Sequence, residues 1–347
     1  MKTKFNKKIL KKIIEIESLS QNHTLTLKTL NLIKQKILTL EIPVQIINKN
    51  SFPILIAGNL LNAKTLFLSH IDIVPGNKEQ FVFKQNGDKI FGRGAVDMKG
   101  PLISSLGAFT FLWKKGIKNI IFCVTSDEEI GGFNGVQLIK NKFLNSIKLA
   151  IVPDSTSKEQ IVLIQKAPFH VKIACNGKSS HGSRPWEGIN ALEKISKCSL
   201  KIVNNLNGNT KDITSAALTQ LHGGNATNVI PDSAFSTIDI RIKSKKEVNN
   251  IIKIINMFTK KENCEWKRID KPLFVDVSNK INSFNKWPGI HKFTTESGTS
   301  DARFLSSMNI PILITSAIGE GAHTQNEWVS EKSLEKLQNN IIKFLLE

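Results

Sequence analysis

The sequence predicts an α/β protein in which a mixed, mostly parallel sheet with helices on both faces is interrupted by an inserted βαββαβ domain. Three observations lead there. Short apolar runs alternate with amphipathic helical segments up to about residue 165, a different texture begins near residue 166, and the first texture returns after about residue 278. Ile9, Ile13, Ile14 and Ile16, then Leu25 to Leu38, have helical spacing and predict two opening helices. The β-rich runs VQIIN (44–48), FPILIAG (52–58), TLFLSH (65–70), NIIFCVTSDEE (from 119) and LAIVPD (149–154) follow. Between them, GPLISSLGAFTFLWKKG from 100 reads as a helix closed by Gly116, and GVQLIKNKF from 135 as another. In the insertion, FHVKIACNG, ITSAALTQLHGG, AFSTIDIRI and NCEWKRI read as strands, with helices at GINALEKISKCSLKIVNNL and EVNNIIKIINMF. PILITSAI (311–318) then reads as a buried strand and SLEKLQNNIIKFLLE as a closing helix. The expected boundaries are 1–165 with 279–347 for the discontinuous α/β domain and 166–278 for the insertion.

Composition narrows the function. The 347 residues include 48 Lys and Arg against 29 Asp and Glu, a formal charge of +19. Lys is spread along the whole chain, with no Arg-rich block and no aromatic residues interleaved with it, which argues against nucleic-acid binding and leaves a background that favours anionic substrates. No stretch approaches the roughly 20 apolar residues of a membrane span. The basic N-terminus is broken by Lys11, Lys12, Glu15 and Glu17, so an amphipathic helix is expected there instead of a signal peptide. Cys123, Cys175, Cys198 and Cys264 are far apart with no CxxC pair. That argues against a structural zinc site or a disulfide framework and points to a reducing, cytoplasmic setting. The chain has no Tyr, which removes that residue from any mechanism.

Ionisable residues gather at the ends of the expected strands: His70 and Asp72 after TLFLSHID, Asp97 in GRGAVDMKG, Glu128 and Glu129 in SDEE, Asp154 in LAIVPD, and His323 after PILITSAIGEGAH. Ligand sites in open α/β sheets form outside the carboxyl ends of the strands, so these residues can converge in one crevice. Two His and several carboxylates without a thiolate suit zinc or a similar divalent ion, and a shared carboxylate can hold two ions about 3.5 to 4 Å apart. In a strand, neighbouring side chains point oppositely, so one of Glu128 and Glu129 is expected to bind metal while the other faces the water.

These segments resemble the motifs of the M20 family of di-metal amidohydrolases and peptidases. SHIDIVPG is similar to its HxD motif, GRGAVDMKGPL to its GRGxxDMKG motif and SDEEIGG to its EE motif. HGSRPWEGINA, GGNATNVIPD, SGTSDARF and GAHTQNEWV resemble later family segments, in the family's order. The resemblance implies a di-zinc exopeptidase-like catalytic domain carrying a ferredoxin-like lid and dimerisation domain, in a homodimer. It implies that His70 and Asp154 hold one ion, Glu129 and His323 the other, and that Asp97 bridges them, the ions being two Zn, or Co or Mn. Asp72 would orient the His70 imidazole, Glu128 would be the general base, and His181 would reach a partner's site to stabilise the oxyanion. Asn228, Arg241, Thr299 and Arg303 match positions that bind substrate carboxylate and backbone groups. The implied activity is hydrolysis of an N-acyl amino acid amide, as in the family's desuccinylases and deacetylases. Position 154 is Asp, where the deacylase and carboxypeptidase branches usually have Glu and aminopeptidase-like or dipeptidase members usually have Asp, which weakens the choice of a deacylase; a dipeptidase or carboxypeptidase acting on short peptides is the alternative. A non-catalytic binding protein on the same scaffold is a third reading, which the intact ligand set opposes.

Overall fold

A computed structural model describes residues 4–143, 145–155, 159–208, 210, 212–288 and 292–347, the side chains at 49 and 141–143 excepted. The chain forms two compact units, one of Met1–Leu163, Asp276–Thr294 and Ser300–Glu347, the other of Ile164–Val275 with Thr295–Thr299. No helix among the described residues is long and apolar enough to cross a membrane.

The first unit is built on a mixed sheet whose centre is parallel, as the sequence predicts. Thr65–His70 runs parallel to Ile120–Thr125 on one side and to Leu149–Val152 on the other, and Ile312–Ile314 continues parallel beyond the latter. Phe52–Gly58 and Val44–Lys49 extend the sheet antiparallel past Ile120–Thr125. Every residue of Thr65–His70 and Ile120–Thr125 is buried, which is why both read as continuous apolar runs. The helix Gly100–Lys114 starts at Pro101, whose missing N–H costs nothing in a first turn, and ends before Gly116 at φ +90°. Its Phe109 ring meets the rings of Phe67 and Phe122, which lie opposite each other on the two central strands, at 5.9 and 5.5 Å. Truncating such a residue to Ala typically costs about 3–5 kcal/mol, so this triplet fixes the helix against the strands.

Two expectations for this unit change. PILITSAI is a strand over Ile312–Ile314 alone, because the chain bends away after three residues. The sequence reading also passed over Ile161–Gln165 and a small antiparallel sheet in which Gly319–Glu320, Trp328–Ser330, Lys89–Phe91 and Lys84–Asn86 are neighbours in that order. These strands of two to five residues are too short for their alternation to show.

Apart from the short paired strands Ser180–His181 and Val229–Ile230, the elements from Ala167 to Arg268 follow the order strand, helix, strand, strand, helix, strand. Its antiparallel sheet runs Ser215–Gly223, Ser233–Ile242, Ala167–Asn176, Cys264–Arg268. Ser233–Ile242 alternates strictly between buried and half-exposed or exposed positions; its buried Ile238, Ile240 and Ile242 share a core with Ile195, Cys198 and Ile202 of helix Ala191–Leu206. The expectation of no disulfide is corrected here. Cys175 and Cys264 stand directly opposite on neighbouring strands, Cα atoms 4.5 Å apart, and form a disulfide. They are 89 residues apart in sequence, and only the register of the folded sheet brings them together.

A charged cluster lies across the same sheet. His170 pairs in register with Asp239, their Nε2 and Oδ1 being 3.5 Å apart, and its Nδ1 lies 2.6 Å from Asp270 Oδ2. The Asp239 and Asp270 carboxylates raise the His170 pKa to about 9, outweighing burial. A raised imidazole pKa adds stability that is fully present below the unfolded value, about 6.5, and disappears as pH rises through the folded value. The wild type is therefore expected to melt at a higher temperature than His170→Gln below pH 6.5, with the gap closing as pH rises through about 9. Thermal unfolding followed by circular dichroism from pH 5 to 10 checks this; a gap that widens with pH contradicts it.

Candidate metal centre

Three neighbouring parallel strands end on one edge of the first unit's sheet, and each delivers ionisable side chains at or just past its carboxyl end. His70 closes Thr65–His70, Glu128 and Glu129 follow Ile120–Thr125, and Asp154 follows Leu149–Val152. Asp97 sits in the turn Ala95–Lys99 that leads into helix Gly100–Lys114, and His323 lies in the loop before Trp328–Ser330. The turn is anchored by Lys99, fully buried, whose Nζ donates to the carbonyls of Ile13 (2.8 Å) and Ile16 (2.9 Å). Burial lowers the Lys99 pKa to about 7.

His70 Nε2 lies 3.2 Å from Asp97 Oδ1 and 3.8 Å from Asp154 Oδ2. His323 Nε2 lies 3.2 Å from Asp97 Oδ2 and 3.1 Å from Glu129 Oε2. Asp97 thus turns one oxygen to His70 and the other to His323, while Asp154 lies beside His70 and Glu129 beside His323. One donor atom each of His70, Asp97 and Glu129 lie within 4.8 Å of one another, close enough to surround an ion. Nitrogen and oxygen donors suit Zn, Co or Mn, and three carboxylates packed against two imidazoles form a charge that a divalent cation neutralises. The donor set fits such an ion.

The electrostatics are correspondingly tense. Burial opposes charge on His70, but the carboxylates of Asp72 and Asp97 outweigh it and raise its pKa well above the usual value. Asp97 and Glu129 push His323 up to about 10. Burial would raise Asp97, yet the two imidazoles hold it below the usual carboxylate range. Glu128 goes the other way: burial first, then the charges of Asp154, Asp301 and Glu129, lift it well above an ordinary glutamate against the pull of His70. A carboxyl group raised toward neutrality is suited to exchanging protons with water.

The expectation that Glu128 and Glu129 end a strand, with orientations set by strand alternation, is corrected. The strand stops at Thr125 and the two residues form the short 3-10 turn Glu128–Ile130. Gly131 and Gly132 reverse the chain there at φ +111° and +66°, and a Cβ on Gly132 would meet Asp301 Oδ1 at 2.3 Å. The turn is held by Asp72, which accepts N–H bonds from Glu128 on Oδ1 (3.3 Å) and Glu129 on Oδ2 (3.1 Å), with the Ser20 hydroxyl donating to Oδ2 at 2.6 Å. Asp72 lies past the strand end, so its place relative to His70 also owes nothing to strand alternation. The nearest partner of His70 Nδ1 is the backbone carbonyl of Asp72 at 3.0 Å, with the carboxylate Oδ1 at 3.4 Å. A carbonyl only accepts, so Nδ1 carries a proton, and Nε2, which faces the Asp97 carboxylate, is the nitrogen that would bind an ion once its own proton is displaced.

Sequence reasoning passed over Asp127 and Asp301. Both are buried, each has one carboxylate oxygen without a hydrogen bond, and burial pushes their pKa values up to about 7 and about 6. Asp301 belongs to the SGTSDARF segment, but nothing in a sequence marks a carboxylate as buried and half-satisfied.

The expected substrate-binding residues divide. Arg303, in the first unit, is buried and its Nη2 donates to the Gly131 carbonyl at 2.7 Å, so it braces the turn that carries Glu129. His181, Asn228, Arg241 and Thr299 belong to the second unit. The guanidinium of Arg241 already grips Asp239 through Nε and Nη2, each at 2.9 Å from a carboxylate oxygen, and the Thr299 hydroxyl donates to the Lys166 carbonyl. His181 is exposed in the two-residue strand Ser180–His181; the Ser183 N–H donates to its Nδ1 at 3.2 Å, so in the tautomer that accepts this bond the ring N–H is on Nε2. The adjacent Asn228 carbonyl accepts the Gly182 N–H at 2.7 Å.

Comparison with known proteins gives the family. Residues 66–347 match the model of peptidase family M20/M25/M40. The chain is 28% identical over 320 residues to a succinyl-diaminopimelate desuccinylase of Rickettsia bellii, covering 81% of this chain and 80% of that protein. It is 30% identical over 274 residues to a LysW-lysine/LysW-ornithine hydrolase of Sulfurisphaera tokodaii, covering 76% and 75%. In fold it is similar to the crystal structure of a tripeptidase from Staphylococcus aureus, with a TM-score of 0.79, 98% of each chain covered and 19% identity. The chain belongs to the M20 family of metal-dependent hydrolases.

Proposed function

We propose that this protein hydrolyses the amide bond of an N-acyl amino acid, in the manner of the desuccinylase it resembles, at a site whose residues would hold two zinc ions with Asp97 shared between them. The observation that carries the reading is the division of the Asp97 carboxylate, one oxygen 3.2 Å from His70 and the other 3.2 Å from His323. His70 and Asp154 would hold one ion, Glu129 and His323 the other. Ions held there supply Lewis acidity, polarising the substrate carbonyl and making water acidic enough to lose a proton near neutral pH. Glu128, its pKa lifted by burial, takes a proton from the attacking water and passes it to the departing nitrogen, while the water oxygen joins the carbonyl carbon as the C–N bond breaks. The products are a carboxylate and a free amine.

His181 completes the reading as the oxyanion donor, through the Nε2–H of the tautomer that accepts the Ser183 N–H, delivered by the second copy of a homodimer. The second unit then serves as lid and dimerisation domain. Arg303 and Thr299, with Asn228 and Arg241, are assigned to the substrate's carboxylate and backbone. A cytoplasmic setting rests on the family resemblance alone, because the Cys175–Cys264 disulfide removes the cysteine argument for it. Asp at position 154 favours a second reading, a dipeptidase on the same machinery.

Glu128→Ala is expected to keep its circular dichroism spectrum and its bound zinc while losing about 10²- to 10⁴-fold in turnover. Unchanged hydrolysis by this variant contradicts the assignment of the base. A panel of N-succinyl-diaminopimelate, N-acetylornithine and simple dipeptides, assayed with added Zn or Co, separates the two readings. Cleavage of an N-acyl amino acid is the expected result, and activity on dipeptides alone rejects the deacylase.

A further inference from the structure

Glu327 lies four residues beyond His323 and is 2% exposed. Its carboxylate takes four donors from the segment that carries Asp97. Oε1 accepts the N–H groups of Val96 (3.0 Å) and Asp97 (3.2 Å), and Oε2 accepts the N–H of Gly94 (2.9 Å) and Nη1 of Arg93 (3.0 Å). Four donors match the roughly four lone-pair sites of an ionised carboxylate. Gly94, at φ +79°, lets the N–H groups of Gly94, Val96 and Asp97 converge on one carboxylate while the Ala95 N–H between them donates to the Gly92 carbonyl, forming an anion-binding concavity filled by a side chain of the protein itself. The backbone adds to the tie: the Gly92 N–H donates to the Glu327 carbonyl at 3.2 Å, and Trp328 and Val329 pair in register with Phe91 and Ile90. One side chain therefore joins the loop bearing His323 to the turn bearing Asp97, the two donors 3.2 Å apart across the centre.

We propose that Glu327 is a positioning residue of the metal centre, holding the backbone of Asp97 so that its two carboxylate oxygens face His70 and His323, and thereby setting the affinity for metal. It touches neither the ions' donor atoms nor a substrate, and it acts through Asp97. The proposal rests on the two-ion reading above.

In Glu327→Gln the side chain keeps its shape, but one oxygen becomes an NH2 group that faces donors and cannot accept from them, so two of the four bonds are lost. The expected result is a 10- to 100-fold weaker affinity for at least one Co(II), read from the visible absorption of the full chain titrated with Co(II), with the metal-free circular dichroism spectrum unchanged. Glu327→Asp keeps the charge on a shorter stem, and should weaken binding as well; it decides the matter if the Gln variant does not fold. A purely structural role would lower the melting temperature and leave Co(II) affinity alone. Co(II) affinity within about twofold of wild type in a folded variant therefore overturns the proposal. Hydrogen exchange of the metal-free wild type tests it without any substitution. The amides of Gly94, Val96 and Asp97 should be protected before metal is added, and exchange at the rate of an open loop overturns it. If the wild type binds no Co(II), the two-ion reading falls and takes the proposal with it; if the wild type binds two and the variants bind equally well, only the proposal falls.

Discussion

The sharing of one carboxylate, Asp97, between two imidazoles is the constraint on which the catalytic unit depends. Three acidic groups and two His cannot be brought this close by local structure, because they come from residues 70, 97, 129, 154 and 323. The parallel pairing of Thr65–His70 with Ile120–Thr125 and Leu149–Val152 solves most of the problem, since parallel strands end together. Phe109, packed on Phe67 and Phe122, locks the helix that follows Asp97 to those same strands. The fully buried Lys99 ammonium ties the turn to the N-terminal helix region through two carbonyls. A fold that must hold like charges together surrounds them with fixed donors, and Asp72 supplies the complementary acceptor for the turn carrying Glu128 and Glu129.

The second unit follows different rules. Its core is a sheet and helix sandwich of Ile side chains, and its disulfide and the His170, Asp239, Asp270 and Arg241 cluster brace neighbouring strands. Arg241 is committed within this unit. The strand alternation that places it on the same face as Asp239 also satisfies its guanidinium internally, so any substrate carboxylate has to compete with Asp239 for it.

Much of this was legible in the sequence, for physical reasons. TLFLSH and NIIFCVT read as strands because both faces of a central parallel strand are covered, and the helices announced themselves through period and through Gly116. The clustering of His70, Asp97, Glu129, Asp154 and His323 showed because chemistry-bearing residues at successive strand ends are improbable by chance. What stayed hidden depends on register and burial. Cys175 and Cys264 meet only once two strands are paired. The acidic pair looked like the end of a strand because side-chain types do not reveal that the backbone turns at Asp127. Glu327 stood in the GAHTQNEWV segment beside His323, yet its importance comes from four donors on another loop, which no periodicity records.

Anomalous diffraction at the zinc edge from crystals of the zinc-loaded protein tests the shared carboxylate most directly. The account predicts two anomalous peaks about 3.5 to 4 Å apart, with one oxygen of Asp97 on each, His70 on the first and His323 on the second. A single peak, or two peaks with Asp97 bound to only one of them, would contradict it.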